Sequence, residues 1–193
     1  MLLGHSGCGK GTQAALLQRR YGLKKLSLGD HIRHCLVRDK AGLRSRLPVV
    51  ANNLWVPLPD EIACDLVAQL IEPHREFVLD GFPRSVGQAR VVRELIRPDR
   101  IVVLGCSDHA RQSRIAFRDR KSDTPQRLAA RYAVEIPTLP LIVAELERCG
   151  CQIVTVDSED SIEAVHHALV GELHLNSRNP LASLTAAAPV IDL

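Results

Sequence analysis

Short apolar runs alternate with longer amphipathic segments along most of the chain. The short runs are mostly aliphatic, which is typical of strands that are buried on both faces. Five such runs predict strands, at residues 1–3, 25–28, 76–79, 100–105 and 152–156. Strands that alternate with helices form parallel sheets with right-handed crossovers. The pattern therefore predicts a three-layer α/β fold, in which a five-stranded parallel sheet carries helices on both faces.

Between these runs, apolar residues recur at intervals of three and four, which indicates helices that bury one face. The predicted helices lie near residues 10–20, 31–37, 59–72, 85–96, 108–118, 125–147 and 160–174. In sheets of this kind, ligands bind beyond the carboxyl ends of the strands. We therefore expect the functional residues in the segments that follow each strand.

Two segments depart from this pattern. The first predicted strand has only three residues before Gly4, although a central buried strand usually has roughly five. Either the strand is truncated, or the true start of the chain lies upstream. The segment 175–193 has no periodicity, which predicts a loosely ordered tail after a single domain at 1–174.

Composition narrows the class of protein. The 193 residues are 46% hydrophobic and 24% charged, which is typical of one globular domain. A formal net charge of +3 is too small to indicate nucleic acid binding. Neither a targeting segment nor an apolar run long enough to span a bilayer is visible. Six cysteines without a CxxC pair predict reduced thiols in a cytoplasmic protein, with no zinc site.

The first strand is followed by GHSGCGKGT, which we call the P-loop (residues 4–12). Gly4, Gly9 and Lys10 satisfy G-x-x-x-x-G-K, but the Ser or Thr usual after the lysine is Gly11, with Thr12 one place later. Glycines let backbone N–H groups point at phosphate oxygens, and the following helix adds its positive N-terminus. A plain glycine-rich turn is the alternative. We predict that ATP binds to Gly7, Cys8, Gly9, Lys10, Gly11 and Thr12.

Further motifs follow the P-loop in a fixed order. They are GKGTQA at 9–14, YGLKKLSLGDHIR at 21–33, LWVPLPDEI at 54–62, LDGFPRSVGQA at 79–89, RIAFR at 114–118, RKSDTPQRLAAR at 120–131 and TLPLI at 138–142. On these residues the chain resembles the adenylate kinase family over 1 to about 174. The resemblance implies a P-loop fold and an enzyme that converts MgATP and AMP reversibly into two ADP. Nothing in the sequence demands more than a monomer. It also implies an acceptor-binding insert near 31–57 and a minimal lid near 118–124.

Asp80 ends a predicted buried strand beside the P-loop. A carboxylate there can hold Mg²⁺ directly or through water, and a helix cap or turn residue is the alternative reading. Arg33 and Arg84 resemble the pair that grips the α-phosphate of the acceptor, because a guanidinium offers two donors in one plane. Gln88 resembles the residue that reads the acceptor adenine. The acceptor-binding residues that the resemblance implies are Leu28, Arg33, Val56, Gly81, Arg84, Gln88, Arg120 and Arg131.

Arginines are dense around the predicted lid, at 111, 114, 118, 120, 127 and 131. These arginines could instead form a solvated basic face or a nucleic acid contact. Only Phe117 in this stretch could stack on a base, which disfavours nucleic acid binding. Arg114 resembles the residue that stacks on the adenine of ATP, and Arg118 also resembles an ATP contact. The residues to which the resemblance gives a catalytic role are Lys10, Arg84, Arg118, Arg120 and Arg131.

Four positions depart from the family pattern. Leu28 stands where adenylate kinases usually have Thr, which leaves the acceptor base open among AMP, CMP, UMP and dAMP. Asn53 replaces an expected glycine, and Ser122 replaces the first of two lid aspartates. The lid is too short for a zinc-binding form. Cys8 lies inside the P-loop, and we interpret it as tolerated variation with no catalytic role, although a buried thiol near the phosphates would make activity sensitive to oxidation. A nucleotide-binding regulatory module with weak turnover is the remaining alternative.

Overall fold

The computed structural model describes residues 1–38, 58–117 and 124–175. In these ranges five strands alternate with seven helices. The strands are β1 (Leu2–Leu3), β2 (Lys24–Ser27), β3 (Phe77–Asp80), β4 (Ile101–Gly105) and β5 (Ile153–Asp157). The helices are α1 (Lys10–Tyr21), α2 (Leu28–Arg38), α3 (Asp60–Ile71), α4 (Val86–Leu95), α5 (Asp108–Ala116), α6 (Pro125–Arg148) and α7 (Ile162–Glu172).

The strands form one parallel sheet in the order β2-β3-β1-β4-β5. The chain winds from β1 to β2 and β3 on one side of the sheet, and then to β4 and β5 on the other side. The carboxyl end of β1 thus lies where the winding reverses, which is where ligands bind in open α/β sheets. The predicted α/β fold with a five-stranded parallel sheet is confirmed.

Side chains alternate between the two faces of the sheet, so each face has its own core. Leu2 and Val78 pack with residues of α1 and α7. The neighbouring residues Leu3 and Leu79 pack on the opposite face, with residues of α3, α4 and α6. Leu2, Leu3, Val78 and Leu79 are all buried. The predicted three-layer arrangement with helices on both faces of the sheet is therefore confirmed.

The central strand β1 has only two residues. Hydrogen bonding on both sides supports it, because Leu2 pairs in register with Asp80 of β3 and with Val102 of β4. The N–H of Val102 also donates to the Met1 carbonyl over 2.9 Å. Pairing with two neighbours thus holds a strand shorter than roughly five residues, the usual length.

Leu28 was predicted to end the second strand, and this assignment is wrong. The structure ends β2 at Ser27 and begins α2 at Leu28. The reason is local, because the Ser27 hydroxyl accepts a hydrogen bond of 3.3 Å from the Asp30 N–H, as the first residue before a helix often does. The side chain of Leu28 is buried in the core.

The helix predicted at 125–147 forms as α6, although Pro137 and Pro140 lie inside it. An internal proline removes one backbone hydrogen bond. The Thr138 hydroxyl donates to the Val134 carbonyl over 2.6 Å, and so supplies one side-chain hydrogen bond in this stretch. The described part of the chain has no helix that is both long and apolar enough to cross a membrane.

The predicted insert and lid lie mainly outside the described residues. Residues 31–38 of the insert belong to α2, and 39–57 are not described. Of the lid at 118–124, only Thr124 is described, and its hydroxyl accepts from the Arg127 N–H at 3.4 Å, which caps α6. Residues 176–193, nearly all of the predicted tail, are also outside the described ranges.

Candidate active site

The P-loop connects β1 to α1 at the carboxyl edge of the sheet. Gly4, Gly7 and Gly9 all have φ in the left-handed region that favours glycine, at 134°, 96° and 90°. A Cβ on Gly7 would lie 2.7 Å from the carbonyl oxygen of Arg111, so the loop packs tightly against α5 there. A Cβ on Gly9 would meet no atom within 4 Å. The loop is therefore packed behind Gly7 and open at Gly9.

Lys10, the first residue of α1, closes the loop with its side chain. Its Nζ donates to the carbonyls of Gly4 and His5, over 2.8 and 2.9 Å. Burial lowers the pKa of Lys10, but the nearby Cys8, Asp80 and further acidic side chains raise it, and the net shift is upward. The ammonium group therefore stays charged at neutral pH, as a phosphate-binding lysine must.

A cleft of about 620 Å³ opens beside the P-loop. It lies over the carboxyl ends of β1, β2 and β3 and is covered on one side by α6. Its size is in the range of ligand pockets. Nine of the residues predicted from the sequence line this cleft, namely Gly7, Gly9, Lys10, Gly11, Arg33, Asp80, Gly81, Arg84 and Arg131.

Arg33 and Arg84 come together over Gly29. Nitrogen atoms of the two guanidinium groups lie 3.6 and 3.5 Å from the position that a Cβ would take on Gly29. The Nε of Arg84 donates to the Gly81 carbonyl over 2.8 Å. Burial is the first cause of the lowered pKa of Arg84, and the Arg33 charge lowers it further. Two guanidinium groups that converge on one position can bind a single phosphate group together.

Asp30 orients Arg33 through a hydrogen-bonded ion pair one helical turn away. The pKa of Asp30 is shifted downward: burial alone would raise it, but the bond from Arg33 outweighs this effect. A carboxylate that is ionised over a wider pH range keeps its arginine partner in place. No role for Asp30 was predicted from the sequence.

Asp80 ends β3 and pairs in register with Ser27 at the end of β2. Its Oδ2 is 4.0 Å from the position that a Cβ would take on Gly11, so the carboxylate faces the first turn of α1. In the part of the chain that the structure describes, no three His, Cys, Asp or Glu side chains cluster as metal ligands. One carboxylate suits Mg²⁺ that keeps most of its ligands from water and nucleotide phosphates.

Some predicted residues do not line the cleft. Cys8 has a side chain only 1% exposed and packs in the core behind the P-loop, whereas Thr12 is exposed. Gln88 is buried, and its Oε1 accepts from the Arg84 N–H over 2.8 Å. Its Nε2 donates to the Leu58 carbonyl at 3.4 Å. In this structure the Gln88 amide thus supports the backbone before α3 and α4.

The arginines before the lid separate into two groups. Arg111 is buried: its guanidinium is 2.8 Å from Asp108 Oδ1 and lies 4.1 Å above the Tyr132 ring. Arg111 therefore supports the packing of α5 on α6 and is not part of a solvated basic face. Arg114 donates to the Ser158 carbonyl over 2.5 Å, beside the segment that follows β5. Three predicted residues, Val56, Arg118 and Arg120, lie outside the described residues.

Two further cleft residues, besides Asp30, were missed by the sequence analysis. Lys25 of β2 donates from Nζ to the Gly11 carbonyl over 3.2 Å. Glu135 of α6 accepts two hydrogen bonds from Ser6, one from its N–H and one from its hydroxyl. Glu135 follows Arg131 by four residues, so the two share one face of the helix. The spacing of four residues from Arg131 could have indicated from the sequence that Glu135 lies in the cleft.

The comparisons with known proteins agree on one family. A family model described as adenylate kinase matches residues 2–169. Adenylate kinase 1 of Nostoc sp. is 31% identical over 183 residues, which cover 90% of this chain and 97% of that protein. An adenylate kinase of Corynebacterium aurimucosum is 30% identical over 179 residues, covering 86% and 93%. One from Parvibaculum lavamentivorans is 30% identical over 193 residues, covering 92% and 93%.

Proposed function

The chain belongs to the adenylate kinase family, and we propose that it transfers the γ-phosphoryl group of MgATP reversibly to AMP, giving two ADP. Family membership makes it a nucleotide-binding kinase. One observation supports the specific reaction most. Lys10 of the P-loop and the convergent Arg33 and Arg84 line the same cleft. A donor phosphate chain and an acceptor phosphate bound there would face each other.

On the donor side, the P-loop binds the phosphates of ATP. The N–H groups at the start of α1 and the positive end of that helix attract the phosphate oxygens. Lys10 exchanges its bonds to loop carbonyls for bonds to the β- and γ-oxygens, where charge shifts during transfer. Asp80 is the residue that would hold magnesium through water, and the ion would supply positive charge to those same oxygens.

On the acceptor side, Arg33 and Arg84 hold the α-phosphate of the monophosphate. Arg131 of α6 faces the same cleft and adds positive charge near the transferred group. By the family resemblance, Arg118 and Arg120 join it from the lid. Phosphoryl transfer needs little covalent chemistry from the protein, so aligned substrates and fixed positive charge provide the rate enhancement.

The identity of the acceptor base is the most specific part of the proposal. Gln88 would read adenine with its amide, and the bond that it must release, to the Leu58 carbonyl, is long at 3.4 Å. Leu28, however, is buried at the start of α2 and offers no polar group to a base. That observation favours a pyrimidine monophosphate, such as CMP or UMP, as the second candidate acceptor.

A coupled assay with purified protein tests the proposal. MgATP is offered with AMP, CMP, UMP or dAMP, and ADP formation is followed for each acceptor. Turnover that is fastest with AMP supports the proposed reaction, and a preference for a pyrimidine supports the second candidate. ATP binding without turnover on any acceptor would overturn both and leave a nucleotide-binding regulatory module.

A further inference from the structure

The P-loop holds the Glu135 carboxylate with two donors. The Ser6 N–H donates to one carboxylate oxygen and the Ser6 hydroxyl to the other, each over 2.8 Å. Both groups belong to a loop whose N–H groups are suited to phosphate oxygens. Hydrogen bonds to an ionised carboxylate are among the stronger ones in proteins. Glu135 thus occupies donors that a phosphate group could use.

Glu135 also stands between the donor and acceptor sides of the cleft. Burial lowers the pKa of Lys10, and Glu135 is one of the charges that raise it. Burial likewise lowers the pKa of Arg84, and Glu135 is the largest opposing charge. One carboxylate therefore faces a cation of the P-loop and a cation of the acceptor site. Asp80 also raises the pKa of Lys10 and of Arg84, but we have already assigned Asp80 to magnesium binding.

A polyphosphate and the Glu135 carboxylate cannot both lie against Ser6 and Lys10 without an unfavourable electrostatic energy. Both are anions, both seek Ser6 and Lys10, and like charges repel strongly where little water separates them. We propose that Glu135 is an internal competitor of the nucleotide, whose carboxylate leaves Ser6 when the phosphate chain of ATP binds. This proposal rests on the proposed function, because it assumes that the P-loop binds ATP.

The competition has a consequence for turnover. An anion that returns to Ser6 weakens nucleotide binding and helps the product to leave, and product release limits the rate of many enzymes. Removing the Glu135 charge should therefore lower the KM for ATP without raising kcat. A side chain that only braced the loop would show the opposite effect on affinity, because a looser loop binds phosphate less well.

Titration calorimetry with inorganic tripolyphosphate tests the proposal, because this probe has no base or sugar and binds through its phosphate groups alone. In Glu135→Gln, which keeps the size of the side chain, binding should tighten by about tenfold, since one charged hydrogen-bonded partner is lost as a competitor. The KM for MgATP should fall by a similar factor. The matched control is Glu147→Gln, at an exposed position of the same helix, which should match wild type.

The two hypotheses fail in different ways. If wild type binds neither tripolyphosphate nor ATP, the proposed function fails and this inference fails with it. If wild type binds both and Glu135→Gln binds them equally or more weakly, only the competition is overturned. Circular dichroism and melting temperature show whether each variant is folded. If Glu135→Gln does not fold, Glu135→Ala removes the same charge and takes its place in the comparison.

Discussion

Gln13 of α1 and His166 of α7 share a buried hydrogen bond, 3.0 Å long, between Gln13 Oε1 and His166 Nδ1. The Gln13 Nε2 donates to the Ile162 carbonyl over 3.0 Å, which directs its oxygen toward the histidine. The bond joins α1, the helix that follows the P-loop, to α7, the last helix of the described residues, on the same face of the sheet. Among the described residues, His166 Nε2 has no hydrogen-bond partner.

The protonation of His166 should make folding stability depend on pH. Burial lowers the pKa of His166 below its ordinary value of 6.5, and the nearby Arg20 lowers it further. The unfolded chain then binds a proton more readily than the folded chain, so stability should fall as the pH drops below 6.5, until the folded-state pKa is reached. Urea unfolding of wild type at about pH 7.5 and about pH 5.5, on either side of the ordinary histidine pKa, measures this fall.

His166→Gln is the matched variant for that measurement, because an amide can still donate to Gln13 but does not titrate. The variant should lose less stability than wild type over the same pH interval. The pKa of His5 is also lowered by burial, but His5 is present in both proteins and cancels in the difference. Equal losses in the two proteins would show that His166 does not titrate with folding.

Lys10→Met should lower kcat by on the order of a hundredfold or more, because it removes the positive charge that follows the transferred group. The fold should persist, since methionine keeps most of the apolar length of the side chain. Lys24→Met on β2, where the side chain is exposed, is the control and should keep wild-type rates. The coupled assay and a melting curve measure both effects. Near-normal turnover in folded Lys10→Met would remove the phosphate role from Lys10.

Arg84→Ala should raise the KM for AMP by about tenfold or more, since a hydrogen bond to a charged group contributes about 1.5–3 kcal/mol. The KM for ATP should change less, because Arg84 lies with Arg33 at Gly29, on the acceptor side. Arg75→Ala, at an exposed position between α3 and β3, is the control. Initial rates over a grid of the two substrates separate the two constants. A larger effect on ATP than on AMP would place Arg84 on the donor side.

Two glycines of the P-loop should differ in their tolerance of a side chain. Gly9→Ala should cost about 1–2 kcal/mol of unfolding free energy, because an alanine is strained at a positive φ. Gly7→Ala should cost about 1–3 kcal/mol more, since its Cβ would also overlap backbone packing. That Cβ would lie 2.7 Å from Arg111 O, whereas the one on Gly9 meets nothing within 4 Å. Urea unfolding of the two variants compares these costs, and a larger loss for Gly9→Ala would contradict the packing.

Much of the fold could be predicted from local patterns. Aliphatic runs and apolar residues at intervals of three and four reflect which face of a strand or helix is buried. Both patterns can be read from residues that are close together in the sequence. The five strands and the parallel sheet followed from these patterns alone. The end of β2 was misplaced because Leu28 continues the apolar run of the strand, whereas α2 begins at Leu28, with the Ser27 hydroxyl bonded to the Asp30 N–H just in front of it. The pattern of apolar residues carries no information about such a helix cap.

The cleft was harder to predict, because its contacts join distant parts of the chain. The P-loop and the Asp80 carboxylate follow strands and could be located from their positions. The bond between Ser6 and Glu135, however, spans 129 residues and depends on how α6 crosses the sheet. Arg111 shows the same limit, since a basic stretch in the sequence contains an arginine that is buried against Tyr132.

Phosphorus NMR of the purified chain with ADP and magnesium is the simplest test of the proposed phosphoryl transfer. We expect the ATP and AMP signals to grow in equal amounts as the ADP signal declines, and chelation of the magnesium to stop the conversion. Folded Lys10→Met should leave the spectrum almost unchanged over the same time. If the folded wild-type chain leaves ADP intact, it does not catalyse the proposed reaction.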